Sequence, residues 1–397
     1  MNVVFVSYYD FRSPSGMHIF HLANALAKQG VRCVAYSNGD ASTVLRYGQP
    51  RFRSYDRTMA PHRLAAEVNF KPNDTIVHCW TPRERARVSA GQVADTFGAP
   101  LIVHMEDNEE AITKANLQRL SPEEIASGEE IWNPGNRMHG FSHPERHREF
   151  MESVQGYTCI IESLLDFKPA QVPGHVFWPS CEPEVFAVPP SSPEEKERWG
   201  IAPENHVIFY PGNMHRNNYQ EVLHLYMAVS MLRKAGFPVS IIKFGNYAVD
   251  LEDPIYAPLD LRSAVVDLTN IITPAQVPDV MRAADFLVQP GEDNEFNRYR
   301  FPCKLPLFLA SGRPVIMPRS NLGTHVTDGK NCLLLQGEES SPEEIAGLLR
   351  TLIENPALAE EIGQGGRNFA REHFSWDVSA KGLSLFYKTI LENHSSR

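Results

Sequence analysis

The stretch "FNRYRFPCKLPLFLASGRPVIMP" (residues 296–318) sets Arg298, Arg300 and Lys304 just ahead of an apolar run. Cations at the start of a helix gather an anion, because the helix N-terminus adds free N–H groups and partial positive charge. Far upstream, His104 ends the apolar run "PLIVH" and is followed by Glu106, Asp107, Glu109 and Glu110. A histidine at the carboxyl end of a strand is expected to face the ligand side of an α/β sheet. The carboxylates behind it suit metal binding, proton transfer or the orienting of acceptor hydroxyls. Asp107 is the expected participant, with Glu109 and Glu110 expected in a solvated loop. Gly16, in "SPSGMH", follows the first apolar run, where a missing side chain lets backbone approach a phosphate or sugar. His18 and His78 sit in comparable settings, with a place in the core as the competing role.

Such residues need elements to position them. Apolar runs at 2–8, 75–80, 100–106 and 157–163 read as buried strands. "VRCVAYS" joins them after a helix that places Ile19, Leu22, Ala23 and Leu26 on one face and stops at Gly30. Between Asp107 and Glu152 a polar excursion carries a capping box, Ser121 with Glu124, and Pro122 at the first helical position. "VPPSSPEEKERWGI" (188–201) reads as a linker entering a short capped helix. Strands resume at 206–212, 239–245, 264–268, 284–291, 314–318 and 332–336. A helical pair broken near Pro356 and an amphipathic helix, "SWDVSAKGLSLFYKTILEN", close the chain. Alternating β and α elements predict doubly wound parallel sheets, and 397 residues exceed one ordinary core, so two Rossmann-like halves are expected.

Composition removes several function classes. A formal net charge of -10 argues against general nucleic-acid binding, which needs a basic field. The six cysteines form no CxxC, so neither a zinc ribbon nor a thioredoxin-type site is indicated, and buried free thiols in a reducing cytoplasm are expected. The opening run lacks a basic leader and a cleavage site, and no apolar stretch approaches the ~20 residues of a membrane span. A soluble cytoplasmic protein is expected, with peripheral association at the inner membrane face left open. No G-x-G-x-x-G, Ser-His-Asp, paired-carboxylate or HExxH spacing is present.

Five segments, in order, carry a family resemblance: "HLANALAKQGVRC", "YPGNMHRNNYQEV", "ITPAQVPDVMRAADFLVQPG", residues 296–318 and "FSWDVSAKGLSLFYKTIL". Together they resemble GT-B glycosyltransferases of the large retaining group, family four, that use nucleotide-sugar donors. The resemblance covers nearly the whole chain. It implies a Rossmann-like acceptor domain over 1–187, a linker over 188–200 and a Rossmann-like donor domain over 201–375. The two would face a central cleft, and a closing helix over 376–397 would cross back onto the first domain. It also implies retaining, metal-independent transfer of a sugar to an acceptor hydroxyl in polysaccharide or glycolipid synthesis. The donor would be a nucleotide-diphosphate sugar, the acceptor a glycan or lipid-linked molecule, with no cofactor and no metal.

By the same resemblance Lys304, Arg216 and Arg298 are the diphosphate cations, and His104 touches the donor sugar. The chain departs from the pattern twice. The arginine and lysine slots after Gly212 carry asparagines, Asn213 first among them. The paired glutamates are replaced by Tyr299 and Leu307, the latter where a carboxylate would bind ribose hydroxyls. Glu295 or Asn297 is expected to reach the donor sugar instead. These departures support an alternative, a non-catalytic GT-B subunit that binds a glycan or protein partner.

Overall fold

The computed structural model describes residues 1–181, 186, 188–214, 218–246, 251, 253–272, 276–337 and 340–395. Arg216 lies outside these. The chain divides into two compact units: Met1–Pro179 with Tyr299–Phe301 and Ser375–Arg397, and Ser180–Arg298 with Pro302–Phe374.

The first unit holds strands β1 (Asn2–Ser7), β2 (Arg32–Ser37), β3 (Arg53–Asp56), β4 (Thr75–Trp80), β5 (Leu101–Met105), β6 (Gly156–Cys159) and β7 (Gly174–Val176). They form one parallel sheet in the order 3-2-1-4-5-6-7. β1, β4 and β5 are buried along their whole length, which is why they read as unbroken apolar runs. The register pairs Ser7 with Trp80, Trp80 with His104 and His104 with Thr158, so the carboxyl ends of four central strands lie side by side.

The helix Pro14–Lys28 buries Ile19, Leu22, Ala23 and Leu26, as its pattern predicts, and Gly30 at φ 83° turns the chain into β2. The closing helix Trp376–Ser395 adds Leu383, Tyr387 and Ile390 to the same core, beside Phe5, Ile19 and Leu22. It packs back on the first unit. In the polar excursion the Ser121–Glu124 capping box forms, with both reciprocal hydrogen bonds. Two edge strands, β3 and β7, escape the pattern reading. The run expected over 157–163 stops at Cys159, where the chain bends into a 3₁₀ turn over Glu162–Phe167.

In the second unit, β8 (His206–Pro211), β9 (Val239–Phe244), β10 (Val265–Asp267), β11 (Phe286–Val288), β12 (Val315–Pro318) and β13 (Leu333–Leu335) form a parallel sheet ordered 10-9-8-11-12-13. The helix break at Pro356 is present, between Pro342–Glu354 and Pro356–His373. Among the described residues no helix is long and apolar enough to cross a membrane.

Candidate active site

In the second unit, Lys304 stands at the N-cap of the short helix Leu305–Ser311. Its Nζ lies 4.4 Å from the Tyr210 ring centroid and 3.4 Å from the Tyr210 hydroxyl. The ammonium therefore sits at the carboxyl end of β8, over the turn that follows. Gly212 makes this seat possible, because a Cβ there would come within 2.6 Å of Nζ. Asn213, in a slot where the resemblance expects a cation, fastens the turn instead. Its Oδ1 accepts from the Asn246 N–H (2.9 Å), and the Met214 N–H donates to the Asn246 carbonyl (2.8 Å).

Gly212→Ala is therefore expected to displace the Lys304 ammonium and to cost a little stability, since the added Cβ would also lie 3.1 Å from Cζ of the buried Tyr210 ring. The displaced ammonium should weaken nucleoside diphosphate binding about tenfold, read by calorimetric titration beside thermal unfolding.

The neighbouring candidates separate. Glu295 and Arg298, at the ends of a single helical turn, are exposed. Asn297 is buried, and its side chain does not reach outward as expected. Its Nδ2 donates to Glu221 Oε1 (2.5 Å) and to the Glu292 carbonyl (3.0 Å), so it anchors the loop to the helix Tyr219–Lys234. Leu307 is partly buried on the helix that Lys304 caps. Tyr299 is grouped with the first unit, where its hydroxyl donates to Asp166 Oδ2 (3.0 Å) and its ring packs on Phe167.

In the first unit the expectation of a cleft-facing His104 meets a correction. Its ring is wholly buried, 4.0 Å from the centroid of Trp80 and stacked on Phe177 at 4.9 Å. Burial pulls its pKa down to about 3, so it is neutral at physiological pH. Nδ1 is bonded to Thr158 Oγ1 (2.8 Å), while Nε2 is buried without a hydrogen-bond partner. His78 is also wholly buried and uses both ring nitrogens internally.

Gly16 lies inside the first turn of its helix. Its N–H donates to Ser13 Oγ, and a Cβ would meet the Phe11 Cα at 2.4 Å. The close approach that requires glycine here is made by the chain's own backbone. His18 Nδ1 is 2.7 Å from Glu106 Oε1, and the Ser15 hydroxyl donates to Glu106 Oε2. Burial by itself would raise the Glu106 carboxyl, but His18, His104 and Ser15 together hold it down at about 2.

Asp107 is the member of the acidic cluster whose chemistry is set apart. Burial, helped by Glu109 and Glu106, pushes its carboxyl up to about 7 against the opposing pull of Arg300 and Arg83. Glu109 is not in a solvated loop as expected. Its side chain is fully buried against Arg83 (Nε to Oε2, 3.0 Å) and accepts from Ser142 Oγ. Glu110, partly exposed, pairs with Arg148. Beside them a cavity of about 300 Å³ is lined by Glu109, Glu110, His147, Arg148, Asp166 and Lys168 together with Met105, Met151, Phe167 and Pro169, so charged and apolar groups share its wall.

Two features of this end of the sheet were missed in sequence. Arg83 follows β4 directly, with its guanidinium 4.3 Å from the Tyr8 ring centroid. Thr81 adopts φ 72°, a conformation that a β-branched residue rarely takes, and its buried Oγ1 has no partner. The dipeptide Thr81-Pro82 directly after a buried strand was the available signal. Among the described residues, no group of three or more His, Cys, Asp and Glu converges to hold a metal ion.

Two parallel-sheet α/β units of this kind define the GT-B fold. Comparison with solved structures agrees. The chain matches Anabaena HepE, solved with UDP, at TM-score 0.67 and 15% identity, over 98% of this chain and 100% of that one. It matches a glycosyltransferase from Rickettsia africae at TM-score 0.70 and 14% identity, over 99% of each chain. Among curated sequences, an uncharacterized glycosyltransferase of Methanocaldococcus jannaschii, MJ1178, is 30% identical over 116 residues, 29% of this chain and 31% of that protein. The match thus spans about a third of that relative's length. No family model matches the sequence.

Proposed function

We propose that this chain is a glycosyltransferase that moves a sugar from a nucleotide-diphosphate sugar to an acceptor hydroxyl, with retention and without a metal ion. The observation that carries this reading is Lys304 Nζ seated over Tyr210 and the Gly212 turn, at the carboxyl end of β8. Ligands of open α/β sheets bind outside that end. HepE, which shares the fold, was solved with UDP in place.

In this mechanism Lys304 meets the diphosphate, with Arg298 and Arg216 as the further cations. A fixed cation at the leaving diphosphate stabilises charge as it develops, at no reorganisation cost. Asp107 belongs to the acceptor side, where it accepts a hydrogen bond from the attacking hydroxyl. Domain roles follow the same division: donor binding over 201–375 and acceptor binding over 1–187. The acceptor is a glycan or lipid-linked molecule, and the setting is cytoplasmic polysaccharide or glycolipid assembly.

Calorimetric titration with UDP, GDP and ADP tests the reading. Lys304→Ala is expected to weaken binding at least thirtyfold, about 2 kcal/mol for a lost charge-assisted contact. A mass-spectrometric screen of nucleotide sugars for hydrolysis then identifies the donor. No binding of any of the three diphosphates by the intact protein would leave this reading without support.

A second reading, a non-catalytic subunit of the same fold, is favoured by the two lost carboxylates. Leu307 offers no acceptor, and the Tyr299 hydroxyl is committed to Asp166. Absence of nucleotide binding by the intact protein would favour this second reading, and Leu307→Glu tests where the ribose lies. That variant should tighten diphosphate binding about tenfold if an unpaired ribose hydroxyl lies there, because leaving one buried costs about 1–3 kcal/mol. Unchanged affinity in the folded variant would place the ribose elsewhere.

A further inference from the structure

Charge is spread unevenly along the chain. From Lys28 to Lys71 there are eight lysines and arginines against three acids, in a protein of net charge -10. Three of these cations, Arg32, Arg51 and Arg53, line one open groove of about 620 Å³ in the first unit. The groove lies at the amino ends of β2 and β3, which begin at Arg32 and Arg53. All strands of this sheet are parallel, so the groove is at the opposite end from Asp107, which follows β5.

Each arginine is held by a contact that leaves donors over. Arg32 Nη2 donates to the Val68 carbonyl (2.9 Å), and its guanidinium lies 4.7 Å from the Phe70 ring centroid. Arg53 is paired with Val34 in the sheet register, and its Nη1 is 3.4 Å from Glu67 Oε1, a long contact between exposed side chains. Arg51 is fixed through its backbone N–H, which donates to Asn24 Oδ1 (2.7 Å), and its exposed guanidinium has no partner among the described residues. A guanidinium carries several N–H donors in a rigid fork, so most of those in the groove are uncommitted. Glu67 is the one carboxylate among the described lining residues, and it already accepts from the Tyr55 hydroxyl (2.6 Å). Three cations thus share one anion, above a floor that includes the buried rings of Phe52 and Phe70.

Like charges gathered this way repel one another until an anion is shared among them. Guanidinium forks match the oxygens of carboxylates and phosphates. Three forks around one groove outnumber the two oxygens of a carboxylate and suit the three terminal oxygens of a phosphate monoester. We propose that this groove binds a phosphate monoester, at a site separate from the donor diphosphate. The group is carried by a soluble metabolite or by a lipid headgroup, which present the same oxygens. The inference does not rest on the glycosyltransferase reading, because Lys304 and the Gly212 turn belong to the other unit.

The experiment uses the full chain carrying Lys304→Ala, which removes the donor-side cation. One arm follows ³¹P line broadening of glycerol 3-phosphate, and the other follows co-sedimentation with phosphatidylcholine vesicles containing phosphatidic acid. The test variant adds Arg51→Gln and Arg53→Gln. The charge-matched control adds Lys330→Gln and Arg350→Gln, two exposed cations of the second unit. Binding in at least one arm is expected, weakened about tenfold in the test variant and unchanged in the control. Broadening of glycerol 3-phosphate assigns a soluble ligand, and co-sedimentation alone assigns a headgroup. Binding in neither arm would overturn the proposal. Equal weakening in the two variants would do the same, since the charge of the whole protein would then be responsible. Acetate competing as well as glycerol 3-phosphate would overturn the choice of phosphate. Circular dichroism checks that each variant is folded, and both altered arginines are exposed. Titration of the unaltered chain with UDP is read separately, and its failure would count against the glycosyltransferase reading alone.

Discussion

Glu109→Ala should lower the unfolding free energy of the first unit by about 3–5 kcal/mol, the usual cost of stranding one partner of a buried ion pair. The Glu109 side chain is fully buried and that of Arg83 is 14% exposed. Removing the carboxylate leaves a guanidinium with few routes to water and takes the acceptor from Ser142. Glu110→Ala is the control. Its pair with Arg148 is open to solvent, so the loss should stay under about 1 kcal/mol. A double replacement, Arg83→Met with Glu109→Leu, should recover most of the stability, because burying neither charge avoids the desolvation cost. Tryptophan fluorescence during urea unfolding gives the readout. Trp80, Trp132, Trp178 and Trp376 lie in the first unit, and only Trp199 lies in the second. A loss below about 1 kcal/mol for Glu109→Ala would mean that water reaches the pair.

That pair shows where sequence reading stops. "LIVHMEDNEE" announces a strand end and a cluster of acids, but not which acid is buried. Burial of Glu109 depends on Arg83, 26 residues earlier on the neighbouring strand's exit, and no local pattern couples the two. Long-range partners hide the role of His78 in the same way, since its contact with Tyr387 spans 309 positions. By contrast β1, β4, β5 and β8 were legible because central parallel strands are buried on both faces and must be apolar throughout. The edge strand β3, "RSYD", is partly exposed along its length and carries no such signature. Lys304 was legible because charge before an apolar helix is a local feature. Its seat on Tyr210 was not, because it depends on a turn 92 residues upstream having no side chain at Gly212. The unexpected commitments of Asn297 and Tyr299 are tertiary in the same sense, each satisfied by a residue from another element.

Asp107→Asn should make the first unit more stable above neutral pH and remove a pH dependence that the unaltered chain displays. The Asp107 carboxyl is pushed up to about 7 in the folded protein, whereas an unfolded aspartate titrates near ~3.9. Between those values the folded state holds a proton that the unfolded state has lost. Stability therefore falls as pH rises from about 4 to about 7, and this contribution is level outside that window. A shift of this size corresponds to a cost on the order of 4 kcal/mol at pH 8, absent at pH 3, where both states are protonated. Asparagine carries no charge at any pH, so the difference between variant and parent should grow in the variant's favour from pH 4 to pH 7 and then stay constant. Unfolding by urea at pH 4, 5, 6, 7 and 8 measures it. A parallel ¹³C titration of the carboxylates should show one aspartate with its midpoint near neutrality, missing in Asp107→Asn. A midpoint below about 5 would mean that Arg300 and Arg83 outweigh burial, leaving Asp107 a permanent anion. Near 7, Asp107 exchanges its proton easily under working conditions, as a group that accepts a hydrogen bond from an acceptor hydroxyl and then releases it must. Transfer activity should then rise through the same midpoint as the carboxylate forms, with a sign opposite to that of stability. The acid that costs the fold most at pH 8 is the one that the proposed reaction needs ionised.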